Sequence, residues 1–277
     1  MRIRLDLAYD GGDFRGWATQ PGLRTVQGVL EAALATALRH PEVGVVCAGR
    51  TDTGVHARGQ VVHLDVAEGT LAASTGRSSD PPLDALLRRL NGILPPDVRV
   101  RHAVEAPDGF DARFSPRWRR YAYRIADTPG AVDPIARRHV LTWPRPLDVA
   151  PMNAASRLLV GQHDFASFCK RREGATTIRT LLEVSWVRED GLVVASVRAD
   201  AFCHSMVRSL VGCLMAVGEG RQPVAWAGEI LRAEARDPAV TVAPAHGLTL
   251  EEVDYPPDAE LGVRAQQTRA RRVVADG

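Results

Sequence analysis

The sequence predicts an α+β protein of two similar units, each an antiparallel sheet flanked by helices. Three observations carry this reading. The chain has 277 residues, and at roughly 100–200 residues per domain that length favours two domains. Segments of period-2 alternation interleave with segments of helical spacing, and the order of elements in the first half recurs in the second. Hydrophobic residues make up 45% and charged residues 25%, the balance of a chain able to bury a core.

Arg2 to Tyr9 sets Ile3, Leu5 and Leu7 on one face and Arg2, Arg4 and Asp6 on the other, a half-buried strand. Asp10-Gly11-Gly12-Asp13 ends it as a turn. Val26, Val29, Leu30, Leu34, Ala37 and Leu38 then recur at helical spacing, so Thr25 to Arg39 is an amphipathic helix. Val43 to Ala48 reads as a short buried strand, and Gln60 to Val66 alternates again. Gly69 to Pro82 is small and polar and reads as a flexible surface loop. Pro81 opens a helix lined by Leu83, Leu86, Leu87 and Leu90, with Gly92 suited to its C-terminal cap. Val98 to Val104 is a closing strand.

In the second half Arg119 to Ala126 is a strand and Met152 to Val160 a helix ended by Gly161. Ile178–Arg188 and Leu192–Phe202 form a hairpin about Glu189-Asp190-Gly191. Ser205 to Val217 is a long apolar helix, and Pro223 to Ala233 adds another. The division expected is residues 1–106, residues 107–255, and a tail 256–277. In the tail Arg264, Arg269, Arg271 and Arg272 follow no periodicity, so it is expected to be disordered.

The formal net charge is +2, and Lys170 is the only lysine among 35 basic residues. A Walker phosphate loop needs Gly-Lys-Ser/Thr, and Lys170 sits in Cys-Lys-Arg. A lysine Schiff base would have to use Lys170, which has basic neighbours and no glycine-rich phosphate site. Arginine cannot shuttle protons, but its planar fork suits phosphate and carboxylate. Genome composition can favour arginine over lysine with no functional meaning, so the placement of individual arginines, and not the ratio, is informative. The cysteines Cys47, Cys169, Cys203 and Cys213 form no Cys-x-x-Cys pair, so no zinc site is expected and the thiols are read as reduced. There is no dinucleotide fingerprint, no signal-peptide core and no run near 20 apolar residues. The expectation is a cytoplasmic protein with no cofactor, no metal and no membrane span.

Three segments carry candidate chemistry. Cys47-Ala48-Gly49-Arg50-Thr51-Asp52-Thr53-Gly54-Val55-His56 lies between two strands and holds one carboxylate. Such a loop fixes a carboxylate on a rigid frame, but a plain turn formed by Asp52 is what the local pattern alone favours. From Phe110 to Arg124 stand Arg113, Arg117, Arg119, Arg120 and Arg124 against Asp111 alone, interleaved with Phe114, Trp118, Tyr121 and Tyr123. Arginines pair with phosphates and aromatic faces stack on bases, so this run is read as a nucleic-acid contact in a nearly neutral chain. On the strand, Arg119, Tyr121, Tyr123 and Ile125 share a face. Finally, Arg208 is the only formal charge on the apolar helix after His204. A buried guanidinium needs a carboxylate, and Asp52 is the natural candidate; a head escaping to solvent is the alternative.

Together these segments resemble the tRNA pseudouridine synthase A family. The resemblance runs through Tyr9-Asp10-Gly11 with Gly16-Trp17, Val26-Gln27, Ala48-Gly49-Arg50-Thr51-Asp52 with Gly54-Val55-His56, Gly59-Gln60-Val61-Val62, Ala112-Arg113-Phe114, Arg120-Tyr121, Asp164-Phe165 with Ser167-Phe168, and Met206-Val207-Arg208 with Val211-Gly212. It covers about residues 1–255. Ser205 stands where some members have a second histidine, Gly69 to Asp80 is longer than the compact form, and Lys170-Arg171-Arg172 is unusually basic.

The resemblance implies two subdomains meeting at a central RNA-binding cleft, a homodimer, and isomerisation of uridine to pseudouridine at positions 38, 39 and 40 of the tRNA anticodon stem-loop. By it Asp52 is the catalytic nucleophile, Tyr121 packs on the target base, Arg208 pairs with Asp52, and Arg50 helps displace the base. Arg24, Arg113 and Arg117 are expected to contact the RNA. The chemistry needs no electrons or metal, and a carboxylate of ordinary pKa about 3.9 is ionised at neutral pH. A stacked base must be flipped out to react. Two other classes compete: a non-catalytic RNA-binding protein on the same sheets, and a metal-dependent nuclease. The nuclease would need clustered carboxylates that Asp52 lacks in sequence.

Overall fold

Alternation along β1 (Arg2–Tyr9) becomes strict burial of every second residue in the computed structural model, with Ile3, Leu5 and Leu7 fully inside. The structure describes residues 1–76, 78–170 and 176–269. Contacts divide the described residues into two compact units, 1–117 with 250–269, and 118–249.

In the first unit, α1 (Val26–Leu38) starts at Thr25, whose side chain accepts from the Gly28 amide as an N-cap. β2 (Val46–Cys47) and β3 (His56–Asp65) follow. β3 begins four residues before the expected Gln60, because pairing with β1 runs on to Tyr9 opposite Ala57. The segment expected as a flexible loop contains the short helix α2 (Thr70–Ser74), held by buried Leu71 and Ser74. In α3 (Pro82–Ile93) Gly92 lies inside the helix; the C-terminal cap is Leu94, not the glycine. β4 (Val98–Glu105) is the outer neighbour of β1, antiparallel to it.

The second unit holds β5 (Trp118–Ala126), β6 (Leu141–Thr142), α4 (Val149–Arg157), β7 (Gly161–Asp164), β8 (Ile178–Glu189), β9 (Leu192–Ala199), α5 (Met206–Gly218) and α6 (Trp226–Ala233). Its sheet runs β5-β9-β8-β7 with antiparallel neighbours, and β6 joins β5 in parallel. The expected hairpin is β8–β9. α4 starts at Val149, three residues before the expected Met152, because Asp148 caps it by accepting from the Ala150 amide. Every residue of α5 except Arg208 is buried. The Thr241 carbonyl packs so closely on Gly212 that a Cβ there would overlap it, so this helix position admits only glycine without movement.

β10 (Leu248–Asp254) carries the chain back into the first unit, and α7 (Leu261–Arg269) follows it. This corrects the expected boundaries and tail. Residues 107–117 belong with the first unit because Phe110 and Ala112 pack with Ala48, Val61 and Leu261. The tail is helical to Arg269 because Leu261 and Ala265 are buried and Arg269 pairs with Asp111 at 2.7 Å. Arg271 and Arg272 of the tail lie outside the described residues, as do Arg171 and Arg172.

Cys169 and Cys203, expected as separate thiols, are joined in a disulfide with Cα atoms 5.7 Å apart. The fold juxtaposes them by setting the Lys170 amide on the His204 carbonyl at 3.0 Å. Cys213 is a buried free thiol, pushed up to about 12 by burial.

In the second unit Arg188 makes a two-pronged bond to buried Asp127 at 2.8 and 2.7 Å, and the Leu147 amide donates to the same carboxylate. These hydrogen bonds hold the Asp127 carboxyl below its usual range. The stabilisation is therefore present above the unfolded pKa of about 3.9 and lost as pH falls through the lower folded value. Because the Arg188 head is partly exposed, Asp127→Asn is expected to cost about 1–2 kcal/mol at pH 7. In urea melts, that difference from wild type should hold from pH 7 to 5 and shrink below about pH 4.

Candidate functional site

The loop from Gly49 to Val55 connects β2 to β3, and buried groups of β1, β3 and the first turn hold it at successive points. The Ala48 amide donates to the Val61 carbonyl at 2.8 Å, closing the strand pairing at the loop's base. Gln60 is fully buried. Its amide nitrogen donates to the Gly49 carbonyl at 2.8 Å and to the Tyr9 hydroxyl at 3.2 Å, while its oxygen accepts from the Val61 amide. With both ends of the side-chain amide engaged, its orientation is determined. The Tyr9 hydroxyl meets the Thr51 hydroxyl at 2.8 Å, and the Trp17 amide donates to the Thr51 carbonyl at 3.0 Å. The Val55 amide closes the turn on the Asp52 carbonyl at 3.1 Å.

The turn after β1 is equally constrained. The Gly11 amide donates to Nδ1 of buried His56 at 3.0 Å, and a Cβ on Gly11 would overlap the Val55 carbonyl. Glycine there is what lets β1's turn lie against the loop. Sequence reading singled out the loop but not these anchors. The available signal was polar Gln60 directly before the apolar pair Val61-Val62 of β3.

Of the residues expected at the site, Asp52 is half-buried and Arg50 exposed on this loop. Arg24 lies one residue before the Thr25 cap, where its carbonyl accepts from the Arg15 amide. Its guanidinium is not a free cation. It grips Asp97 at 2.8 and 2.9 Å and lies 4.0 Å over the Phe14 ring. Arg117 grips Asp254 at 2.6 and 3.0 Å. Both guanidiniums are raised further by these carboxylates. Arg113 is exposed, with its guanidinium 5.0 Å over Phe114.

The basic run from Arg113 to Arg124 is therefore not one uniform RNA-facing patch. Arg119 is buried and donates to the Asp200 carbonyl at 2.7 Å, as its place on the inward face with Tyr121, Tyr123 and Ile125 dictates. Asp111 is engaged too, accepting from the Arg113 and Phe114 amides at 2.8 and 3.0 Å.

In the second unit Tyr121 is buried in β5 and meets Phe202 edge-on at 5.1 Å. Arg208 lies in the first turn of α5. Its Nε donates to the Ala243 carbonyl at 2.7 Å, and the Ala243 amide returns a bond to the Arg208 carbonyl. Its guanidinium plane is thereby oriented by the strap that packs on Gly212. The neighbouring Tyr123 hydroxyl donates to the Pro244 carbonyl at 2.8 Å, and burial raises that phenol above its ordinary value. Among the described residues no group of histidine, cysteine and carboxylate side chains could hold a metal ion, and no helix is long and apolar enough to cross a membrane.

The anchors make a direct prediction. Tyr9→Phe keeps the ring but deprives Gln60 and Thr51 of their buried partner, which should cost about 1–2 kcal/mol in urea unfolding. A change within about 0.3 kcal/mol of wild type would show that the hydroxyl contributes nothing.

Residues 8–115 and 155–256 match the sequence model of a family described as tRNA pseudouridine synthase. The chain is 58% identical over 274 residues to a tRNA pseudouridine synthase A of Frankia casuarinae, an alignment covering 99% of this chain and 96% of the relative. It is 55% identical to the protein of that name from Streptomyces griseus, with 99% and 95% covered. For the Mycobacterium leprae protein the identity is 54%, with 98% and 96% covered. The matched stretches include the pinned loop, the turn against it and the helix of Arg208, and on these grounds the chain belongs to the tRNA pseudouridine synthase family.

Proposed function

We propose that this protein isomerises uridine to pseudouridine at positions 38, 39 and 40 of the tRNA anticodon stem-loop, with Asp52 as the catalytic nucleophile. Family membership carries the tRNA substrate and the isomerisation. The observation that supports Asp52 is the fixed loop around it: the backbone at Gly49, Thr51 and Asp52 is bonded to its surroundings, which is the preorganisation a reacting carboxylate needs.

In the reaction, the bond from ribose C1′ to N1 of uracil breaks, the base turns, and C5 bonds to C1′. C5 then gives up its proton and N1 takes one, so atoms and electrons balance within the nucleotide. Asp52 acts as nucleophile on the ribose or the base, and its carboxylate is regenerated at the end. The target nucleotide enters by flipping out of its stack. Tyr121 packs on the flipped base. Arg208, whose Nε is held by the Ala243 carbonyl, is in this reading the cation that pairs with the catalytic carboxylate. Arg50, exposed two residues before Asp52, helps displace the target base from its stack. The enzyme works as a homodimer on tRNA.

Asp52→Asn should retain tRNA affinity within about threefold. It should lower single-turnover pseudouridine formation, mapped on an unmodified tRNA transcript, by about a thousandfold or more. Turnover near wild type in that variant would remove Asp52 from the chemistry. A wild-type protein that bound tRNA without modifying it would be an RNA-binding protein on the same scaffold.

A further inference from the structure

The arginines of the first unit divide by whether a carboxylate neutralises them. Arg2, Arg4, Arg24, Arg88, Arg117 and Arg269 each pair with an aspartate. Among the described residues no carboxylate pairs with Arg15, Arg39, Arg50, Arg99 or Arg101, and all five are exposed. Three of these five, Arg50, Arg15 and Arg99, stand close in the chain or the strand ladder to residues bonded to the Asp52 loop. Arg50 is next to Asp52. Arg15 is two residues before Trp17, whose amide bonds to Thr51. Arg99 faces Ala8 across the β1–β4 ladder, one register step from Tyr9, which anchors the loop. Arg101 follows two residues on, in the irregular register step where β4 passes from Leu7 to Asp6 of β1. Arg99 and Arg101 border a groove of about 850 Å³ between β4 and α3 with Arg88 and His102, with Asp84 as its carboxylate. Arg39 lies at the opposite end of α1, roughly 20 Å from that helix's start beside Trp17.

We propose that Arg15, Arg99 and Arg101 extend from Arg50 a track for the RNA phosphate backbone, leading from the Asp52 loop to the outer edge of the first unit's sheet. The proposal rests on the tRNA substrate of the preceding section. An exposed guanidinium with no internal partner loses no ion pair when a phosphate arrives and releases that phosphate's counterion. A paired guanidinium such as Arg24 must share or surrender its carboxylate. The track therefore starts from Arg50 but leaves out Arg24 and Arg117, two of the four arginines expected from the sequence to contact the RNA.

The test is the salt dependence of binding to an unmodified tRNA transcript, followed by fluorescence anisotropy. At about 0.7–0.9 per phosphate contact, Arg99→Ala/Arg101→Ala should flatten the slope of log K against log salt by about 1.5. Binding at 0.1 M KCl should weaken roughly ten- to fifty-fold, with the single-turnover rate at saturating tRNA within about twofold of wild type. Arg15→Ala should flatten the slope by about 0.8. Arg39→Ala removes the same charge from the far end and should leave the slope unchanged. An unchanged slope in the double variant overturns the track, and so does an equal loss in Arg39→Ala, which would reduce the effect to net charge. Because the readout is binding, absence of pseudouridine formation in the wild type would overturn the catalytic reading while leaving this comparison decisive.

Discussion

The structure of the candidate site depends on one constraint: a loop that must cross between two strands without secondary structure of its own is held by side chains buried beneath it. Gln60 has no exposure, and Tyr9 and His56 are only 5% exposed. Polar groups at that depth are costly unless bonded. The loop supplies the missing partners through the Gly49 carbonyl and the Thr51 hydroxyl. Loop and core thus satisfy each other, and neither can rearrange without stranding the other's polar groups. The same logic holds Arg208 in the second unit, where the Ala243 carbonyl fixes Nε and the close approach at Gly212 fixes the strap. In each unit a reactive or charged group sits on an element whose backbone is determined elsewhere.

Charge pairing is the second organising feature. A chain with a net charge of +2 and 34 arginines cannot be understood from its total. Many arginines are structural: Arg188 on Asp127, Arg2 on Asp65 and Arg117 on Asp254 tie strands or segments far apart in sequence. Those without a carboxylate are the ones whose charge is available to a polyanion. Sorting them by pairing moves attention from the conspicuous run after Phe110 to the edge strand β4.

Much of this was legible in the sequence. Period-2 alternation located β1, β5, β8 and β9, and apolar spacing located α1 and α5, because one face of each meets a core. The loop around Asp52 and the lone charge of α5 were also visible, since each breaks a pattern. What escaped depends on tertiary partners. The short β7, the late β10 and α7 have little periodicity, and α7 is helical because Leu261 and Ala265 find a cover. Arg24 and Asp97, or Cys169 and Cys203, give no local sign that they will meet. Gln60 looked like an ordinary first residue of a strand, yet pairing of β3 with β1 extends past it and turns it inward.

With its backbone bonded at Gly49, Thr51 and Asp52, the Asp52 loop is formed before any RNA binds. Hydrogen exchange of the free protein tests it most directly, at the Trp17 and Val55 amides that close on Thr51 and Asp52. Both amides should show protection comparable to the core amides of β1 and β3, changing little when tRNA is added. Exchange of those two amides at unprotected rates in the free protein, with protection appearing only on addition of tRNA, would contradict it.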